Sequence, residues 1–201
     1  MTKKILICGD SFAVDYGNVT SNAGWANILS KNFETFNYAQ AGASEYKILK
    51  QIKNINIDMF DAVIISHTSP NRLYVKQHPV HKDSVNHKDS DLIYSDLEYY
   101  IQQGFTDKVL TTAKDYFENM FDQEYHEDLY FLIAQEIQRL TDPKPCLHIF
   151  TLFDKNYKNF KHHLNLKNQF KIMPGQTNHY SASTNLKIFK LIKEWIDSNH
   201  E

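Results

Sequence analysis

The 201-residue sequence lacks long apolar runs, an excess of charge of one sign, and a cysteine framework. No run approaches the ~20 apolar residues that a membrane-spanning helix needs, so we expect no membrane span. The formal net charge is −2, which gives no electrostatic basis for binding nucleic acid or anionic lipid. The only cysteines, Cys8 and Cys146, lie in apolar strand-like runs, and they predict buried thiols and not a disulfide scaffold.

The first residues lack the apolar core of a secretory signal. The apolar stretch behind Lys3 and Lys4 is only Ile5–Cys8, and no small-residue cleavage site follows it. Together with the two predicted thiols, this leads us to expect a cytoplasmic protein.

Short apolar runs alternate with segments of helical periodicity. The predicted strands are Lys4–Cys8, Thr35–Ala39, Asp61–Ser66, Cys146–Leu152 and Phe170–Met173. Three helices are predicted: one at 22–32, one that begins after the N-cap residue Ser44, and one around Ile188–Ile196. In the last of these, apolar residues recur at i, i+3, i+4, i+7 and i+8. This alternation predicts an α/β fold with a parallel sheet and right-handed crossovers.

The alternation stops after the third predicted strand. Residues 72–105 are polar and rich in His and Asp, and we interpret them as an insertion or lid with one short helix. Residues 106–140 predict either one long helix or two helices broken near Phe121–Glu124. We therefore expect a single domain, residues 1–201, with an insertion at about 72–140.

Polar residues follow four of the predicted strands. The loops carry Gly9-Asp10-Ser11, Gly42, Thr68-Ser69 and His179. Because ligands bind at the carboxyl ends of the strands in an open parallel sheet, we expect these residues to meet at one edge. A serine hydroxyl needs an adjacent base to act as a nucleophile, which His179 can supply. The backbone N–H groups of Ser11 and Gly42 would then stabilise an oxyanion.

Three motifs in this order resemble the SGNH (GDSL-type) hydrolase family. They are "GDSF" after the first strand, "NYAQAGAS" after the second, and the histidine of "TNHYSAS" before the last helix. The resemblance covers most of the chain outside about 72–140. It implies a flavodoxin-like, three-layer α/β/α sandwich with a five-stranded parallel sheet. It also implies Ser11 as the nucleophile, His179 as the general base and Gly42 as an oxyanion donor.

Two positions depart from the pattern of that family. Gln176 stands three residues before His179, where the family has an Asp that orients the imidazole. An amide could hold the ring by a hydrogen bond but cannot stabilise the imidazolium by charge. The family also has Gly-x-Asn-Asp after the third strand, whose Asn is a further oxyanion donor, and this chain has "SHTSPNR". Thr68 occupies the Asn position, and Asn71 is the alternative donor.

Three histidines and two aspartates lie close together in the predicted lid: His78, His81, His87, Asp83 and Asp89. Their spacing is not typical of a metal site. We interpret the segment as a solvated, mobile lid that could help to select a substrate, and we expect neither a metal nor a cofactor.

These residues predict a serine esterase that acts on a small-molecule or glycan ester with a small acyl group, such as a carbohydrate O-acetyl group. The carbohydrate preference rests on the range of the family and on the aromatic, polar middle segment. The alternative is a weak or inactive relative that binds glycans or a partner. A flavodoxin-like nucleotide binder is a third interpretation, but "GDSFAVDYGN" lacks the glycine and hydroxyl density of a phosphate loop.

Overall fold

A computed structural model describes residues 2–16, 24–84, 87–155, 157–173 and 177–199. The strands are β1 Lys4–Gly9, β2 Glu34–Asn37, β3 Ala62–His67, β4 Cys146–Phe150 and β5 His163–Asn165. The α-helices are α1 Trp25–Ser30, α2 Glu45–Lys53, α3 Tyr94–Gln102, α4 Lys108–Asn119, α5 Gln123–Thr141 and α6 Ala182–Ser198.

The strands form one parallel sheet in the order β2-β1-β3-β4-β5. This is the flavodoxin-like order, so the predicted α/β class and its five-stranded parallel sheet are confirmed. The first four strands lie where the sequence predicts them, with ends shifted by at most two residues. β1, β3 and β4 were readable because a strand covered on both faces is a continuous apolar run.

Helices cover both faces of the sheet and make it the middle of three layers. On one face, Ile7 and Ile64 pack with residues of α1 and α6. On the other face, Leu6 and Ile65 pack with α2 and with Ile137 of α5. Successive residues of a strand point to opposite faces, so each buried strand supplies both cores.

The predicted fifth strand at Phe170–Met173 is wrong. The fifth strand is His163–Asn165, which pairs with β4. It escaped prediction because it is an edge strand of only 3 residues with half-buried side chains and no apolar run. Phe170 is apolar for another reason, since its side chain packs against the core that α1 and α6 cover.

Residues 106–140 form two helices, the second of the two predicted alternatives, with the break at 120–122. α3 and α4 pack around their own apolar cluster, which includes Leu97 and Leu110. α5 instead packs on α2 and supplies Ile137 to the core beside the sheet. The last part of the predicted insertion therefore serves as the crossover between β3 and β4.

Both cysteines are buried free thiols, as predicted. Burial raises the pKa of Cys146 to about 12 and raises that of Cys8 further, so both thiols stay protonated. In the described ranges, no helix has the length and apolar character needed to cross a membrane.

Candidate active site

A tight turn after β1 places Ser11 at the carboxyl edge of the sheet. A Cβ on Gly9 would lie 2.6 Å from the Cβ of Ser66, so only glycine fits against β3. Oδ1 of Asp10 accepts a hydrogen bond from the N–H of Phe12 at 3.1 Å, which closes the turn. Ser11 is 8% exposed at this point and lines a cavity that opens to solvent.

The Ser11 hydroxyl contacts the imidazole of His179, from the loop before α6. Nε2 of His179 lies 2.8 Å from Oγ of Ser11, although the two residues are 168 positions apart. Burial lowers the pKa of His179, and the Arg72 guanidinium lowers it further. The imidazole is therefore neutral at pH 7, and with its proton on Nδ1 it can accept the serine proton at Nε2.

The backbone before α6 is left-handed, which carries His179 to the serine. The φ angles are 51° at Asn178 and 60° at His179, a region that few residues other than glycine adopt. The His179 carbonyl accepts a hydrogen bond from the N–H of Met173 at 2.7 Å. Nδ2 of Asn178, whose side chain is buried, donates to the carbonyls of Ser11 at 3.2 Å and Val14 at 2.9 Å. These bonds join the histidine loop to the serine turn.

Sequence reasoning missed Asn178 and its neighbour Gly24. A Cβ on Gly24 would lie 1.3 Å from Oδ1 of Asn178, so glycine leaves the space that the amide fills. The signal that could have found Asn178 is its residue type next to the candidate base. Asparagine adopts the left-handed conformation more readily than most residues, which makes an Asn-His pair a candidate turn.

Gly42 lines the same cavity as Ser11. Its φ is 71°, and a Cβ there would lie 2.7 Å from the side chain of Ser90, so the position requires glycine on both grounds. Within the described residues, neither the Ser11 N–H nor the Gly42 N–H donates a hydrogen bond. Backbone amides that line the cavity over the serine and form no hydrogen bond within the described part of the chain are the kind of donors that stabilise an oxyanion.

Thr68 is fully buried, and both of its polar groups have partners. Its N–H donates to Oε2 of Glu45 at 3.3 Å, and its Oγ1 accepts a hydrogen bond from Nε of Arg72 at 3.0 Å. Thr68 does not line the cavity over Ser11, whereas Arg72 does. The threonine thus positions the guanidinium.

Asn71, the other candidate oxyanion donor, is not brought to the serine by the described structure. Asn71 is exposed, and its N–H donates to Oγ of Ser69 at 3.3 Å. It lines a neighbouring cavity, not the one over Ser11. Gln176 lies outside the described residues. No carboxylate of the described residues forms an ion pair with His179.

Arg72 is the main residue of the site that sequence reasoning missed. Its half-buried guanidinium lies in the cavity of about 450 Å³ that Ser11, Gly42 and His179 also line. Besides its bond to Thr68, it donates from Nη1 to the Gly42 carbonyl at 3.3 Å. Arg72 ends the "SHTSPNR" segment, directly after the candidate Asn71, but the only sequence signal it left was a cation after the third strand.

The outer wall of this cavity comes from the histidine-rich segment. His78, His81, His87 and Tyr100 all line it. Nε2 of His81 lies 2.9 Å from the Tyr100 hydroxyl. Burial lowers the pKa of His78 to about 4 and also lowers that of His87. These two rings are therefore neutral at pH 7 and present hydrogen-bonding groups without charge.

In the part of the chain that the structure describes, no group of three or more metal-ligating side chains is arranged to hold a metal ion. In the histidine wall, Nδ1 of His78 accepts hydrogen bonds from the N–H groups of Val80 and His81, each at 3.2 Å. This Nδ1 nitrogen is therefore already used in the hydrogen bonds of its own turn.

A buried polar chain behind Thr68 was also not predicted. Nδ1 of His67 lies 2.6 Å from Oε1 of Glu45, and its Nε2 lies 2.9 Å from Nδ1 of His148. The His67 ring stacks on Phe150 with centroids 4.4 Å apart. Glu45 also accepts the Thr68 N–H. The hydrogen-bonded row of Glu45, His67 and His148 therefore fixes the start of the loop that carries Arg72.

The comparisons with known proteins add little to this geometry. No protein-family model matches the chain, and a comparison with curated proteins finds no similar sequence. Among solved structures, it is similar to a G-D-S-L family protein from Desulfitobacterium hafniense DCB-2, with 14% identity, 96% of this chain and 99% of that chain covered, and a TM-score of 0.38. It is also similar to a protein named a possible lipase from Chitinophaga pinensis DSM 2588. The identity is 15%, 95% of this chain and 65% of that chain are covered, and the TM-score is 0.34. Similarity this low carries no argument about chemistry.

Proposed function

We propose that this protein is a serine esterase in which Ser11 is the nucleophile and His179 is the general base. The observation that carries the proposal is the 2.8 Å distance between Nε2 of His179 and Oγ of Ser11. The pair lies at the carboxyl edge of a parallel sheet, where such folds bind ligands. A neutral imidazole facing a serine hydroxyl is the arrangement that activates this weak nucleophile.

The reaction begins when Oγ of Ser11 attacks the carbonyl carbon of the ester while its proton passes to Nε2 of His179. The carbonyl electron pair moves onto oxygen, and the N–H groups of Ser11 and Gly42 stabilise the resulting oxyanion. Collapse breaks the bond to the alcohol oxygen, which takes the proton from His179 and leaves. Water then attacks the acyl-enzyme and gives a proton to His179. A second collapse returns that proton to Oγ of Ser11 and releases the carboxylic acid.

Packing and backbone bonds support a dyad without a carboxylate. The Phe12 ring lies 4.6 Å from the His179 ring between centroids, and the Met173 and Asn178 hydrogen bonds fix the backbone around it. In a triad the carboxylate also stabilises the imidazolium, and replacing it in a serine protease costs roughly 10⁴-fold in rate. We therefore expect a slow esterase.

We infer that the substrate has a small acyl group on a polar, glycan-like alcohol. The cavity over Ser11 has a volume of about 450 Å³, which is within the usual range for a small-molecule site. In its wall, Tyr16 and Tyr100 offer aromatic surfaces, and His78 and His87 offer uncharged hydrogen-bonding groups, which suit sugar hydroxyls and ring faces. A carbohydrate O-acetyl ester is the substrate we favour.

A fluorophosphonate probe with mass-spectrometric mapping of the modified residue tests the dyad. We expect modification of Ser11, and its loss in the Ser11→Ala and His179→Ala variants. The exposed Ser95 and the half-buried His162 provide matched controls, so Ser95→Ala and His162→Ala should label like the wild type.

Hydrolysis of p-nitrophenyl acetate provides the second readout. Ser11→Ala should reduce release of p-nitrophenol to the background rate. Equal rates for Ser11→Ala and the wild type would contradict the proposal and favour a glycan- or partner-binding protein.

A further inference from the structure

Arg72 is a charged group of the cavity. The mechanism proposed for Ser11, His179 and the two backbone N–H groups gives it no role. The chain has two arginines, and the other, Arg139, is exposed and pairs with Glu136. Among the described residues, no carboxylate forms an ion pair with Arg72. The charge of Arg72 acts on the buried Asp10 carboxyl, whose pKa it lowers, but a half-buried guanidinium that forms no ion pair is still costly to hold unless it serves a ligand or a reaction.

Two hydrogen bonds hold the guanidinium at a defined place. Nε donates to Oγ1 of Thr68 at 3.0 Å, and Nη1 donates to the carbonyl of Gly42 at 3.3 Å. A guanidinium has five N–H groups, so three remain for a ligand. The two bonds hold these remaining N–H groups between Gly42 and the loop after β3. These are the two regions from which oxyanion donors are expected.

The other donors expected from that loop are already in use or lie elsewhere. The Thr68 hydroxyl accepts the Nε–H of Arg72, and Thr68 does not line the cavity over Ser11. Asn71 is exposed and lines the neighbouring cavity. Arg72 is therefore the side chain of this loop that lies in the same cavity as Ser11.

We propose that Arg72 is a catalytic residue that donates to the oxyanion, together with the N–H groups of Ser11 and Gly42. This inference rests on the proposed esterase function. A cationic donor stabilises developing negative charge more strongly than a neutral amide does. The oxyanion forms as His179 becomes an imidazolium. The negative charge of the oxyanion therefore offsets the repulsion between that imidazolium and Arg72.

The test compares Arg72→Met and Arg72→Lys on a neutral and an anionic ester, p-nitrophenyl acetate and mono-p-nitrophenyl succinate. We expect Arg72→Met to lower kcat by about 10²–10³-fold on both esters, the loss typical of one oxyanion donor, with little change in KM. Arg72→Lys should lose less, because it keeps the charge without the planar fork. Arg139→Met, the matched control, should behave like the wild type.

Chemical rescue separates a catalytic role from a structural one. Methylguanidinium added to Arg72→Ala should restore part of kcat, and it should have no effect on Arg139→Ala. An effect confined to KM for the succinate ester would overturn the proposal, because Arg72 would then bind an anionic substituent of the substrate. Unchanged rates in Arg72→Met, or a loss of the folded state by circular dichroism in all three Arg72 variants, would also overturn it.

The labelling of Ser11 distinguishes this proposal from the one on which it rests. If the wild type reacts with the fluorophosphonate at Ser11 and Arg72→Met reacts at the same rate, only the role of Arg72 is wrong. If the wild type does not react at Ser11, the esterase function is wrong, and the role of Arg72 fails with it.

Discussion

At the scale of the residue, His179 determines how the proposed activity depends on pH. Burial, followed by the charge of Arg72, lowers its pKa below the ordinary 6.5. A general base must be unprotonated, so kcat/KM should persist below pH 6.5 and fall only as the pH drops through this lowered pKa. Arg72→Met removes the second cause and should move the acid limb to higher pH.

The pH profile of kcat/KM for the wild type and Arg72→Met provides the measurement. Because a pH profile is normalised to each variant's own maximum, it reports the pKa of His179 even where Arg72→Met is slow. A wild-type acid limb at or above pH 6.5 would contradict the lowered pKa.

At the scale of the element, the left-handed segment before α6 sets the position of the base. Asn178 has a positive φ and donates two hydrogen bonds to carbonyls of the serine turn. Asn178→Gly keeps the backbone conformation and removes both bonds. We expect it to lower the free energy of unfolding by about 1–3 kcal/mol, because two buried carbonyls lose their donor, and to lower kcat. Urea unfolding and p-nitrophenyl acetate hydrolysis measure the two effects.

Asn168 is the matched control for this substitution. Its φ is 63°, but it is exposed in the loop after β5. Asn168→Gly should therefore leave kcat unchanged and alter stability by a few tenths of a kcal/mol at most. If the two variants behave alike, the Asn178 amide has no role in positioning His179.

At the scale of the whole molecule, Asp10 makes stability depend on pH. Burial raises its pKa from 3.8 to about 6, although the charge of Arg72 and the hydrogen bond from the Phe12 N–H act in the opposite direction. A raised folded-state pKa stabilises the fold fully below pH 3.8, and this contribution is lost as the pH rises through about 6. The buried carboxylate thus disfavours folding at pH 7 by on the order of 3 kcal/mol.

Asp10→Asn removes this titration and keeps an oxygen to accept the Phe12 N–H. The variant should be more stable than the wild type at pH 7 by roughly 2–3 kcal/mol, and the difference should shrink toward pH 4. Urea unfolding at the two pH values measures it. A difference that is the same at both would show that the Asp10 carboxyl does not titrate in this range.

The prediction of local structure succeeded where burial leaves a repeated pattern and failed where it does not. The apolar runs of β1, β3 and β4 were readable, and so was Ser44, whose hydroxyl caps α2 by accepting the Lys47 N–H at 3.4 Å. β5 was not readable, because it has only 3 residues and a single apolar side chain, Leu164, which is too short a pattern to predict a strand. The break between α4 and α5 was left open, because a helical period continues on both sides of it.

The sequence by itself determined the α/β class, four of the five strands and the loops that carry Gly9–Ser11, Gly42 and His179, because alternating strand and helix segments and buried strands leave local apolar patterns. Only the tertiary structure decided that His179 contacts Ser11, that Asn178 holds this contact, and that Arg72 in place of Asn71 faces the cavity. These contacts depend on left-handed backbone angles and on packing between segments far apart in the chain. Such long-range geometry leaves no periodic signal in a single sequence.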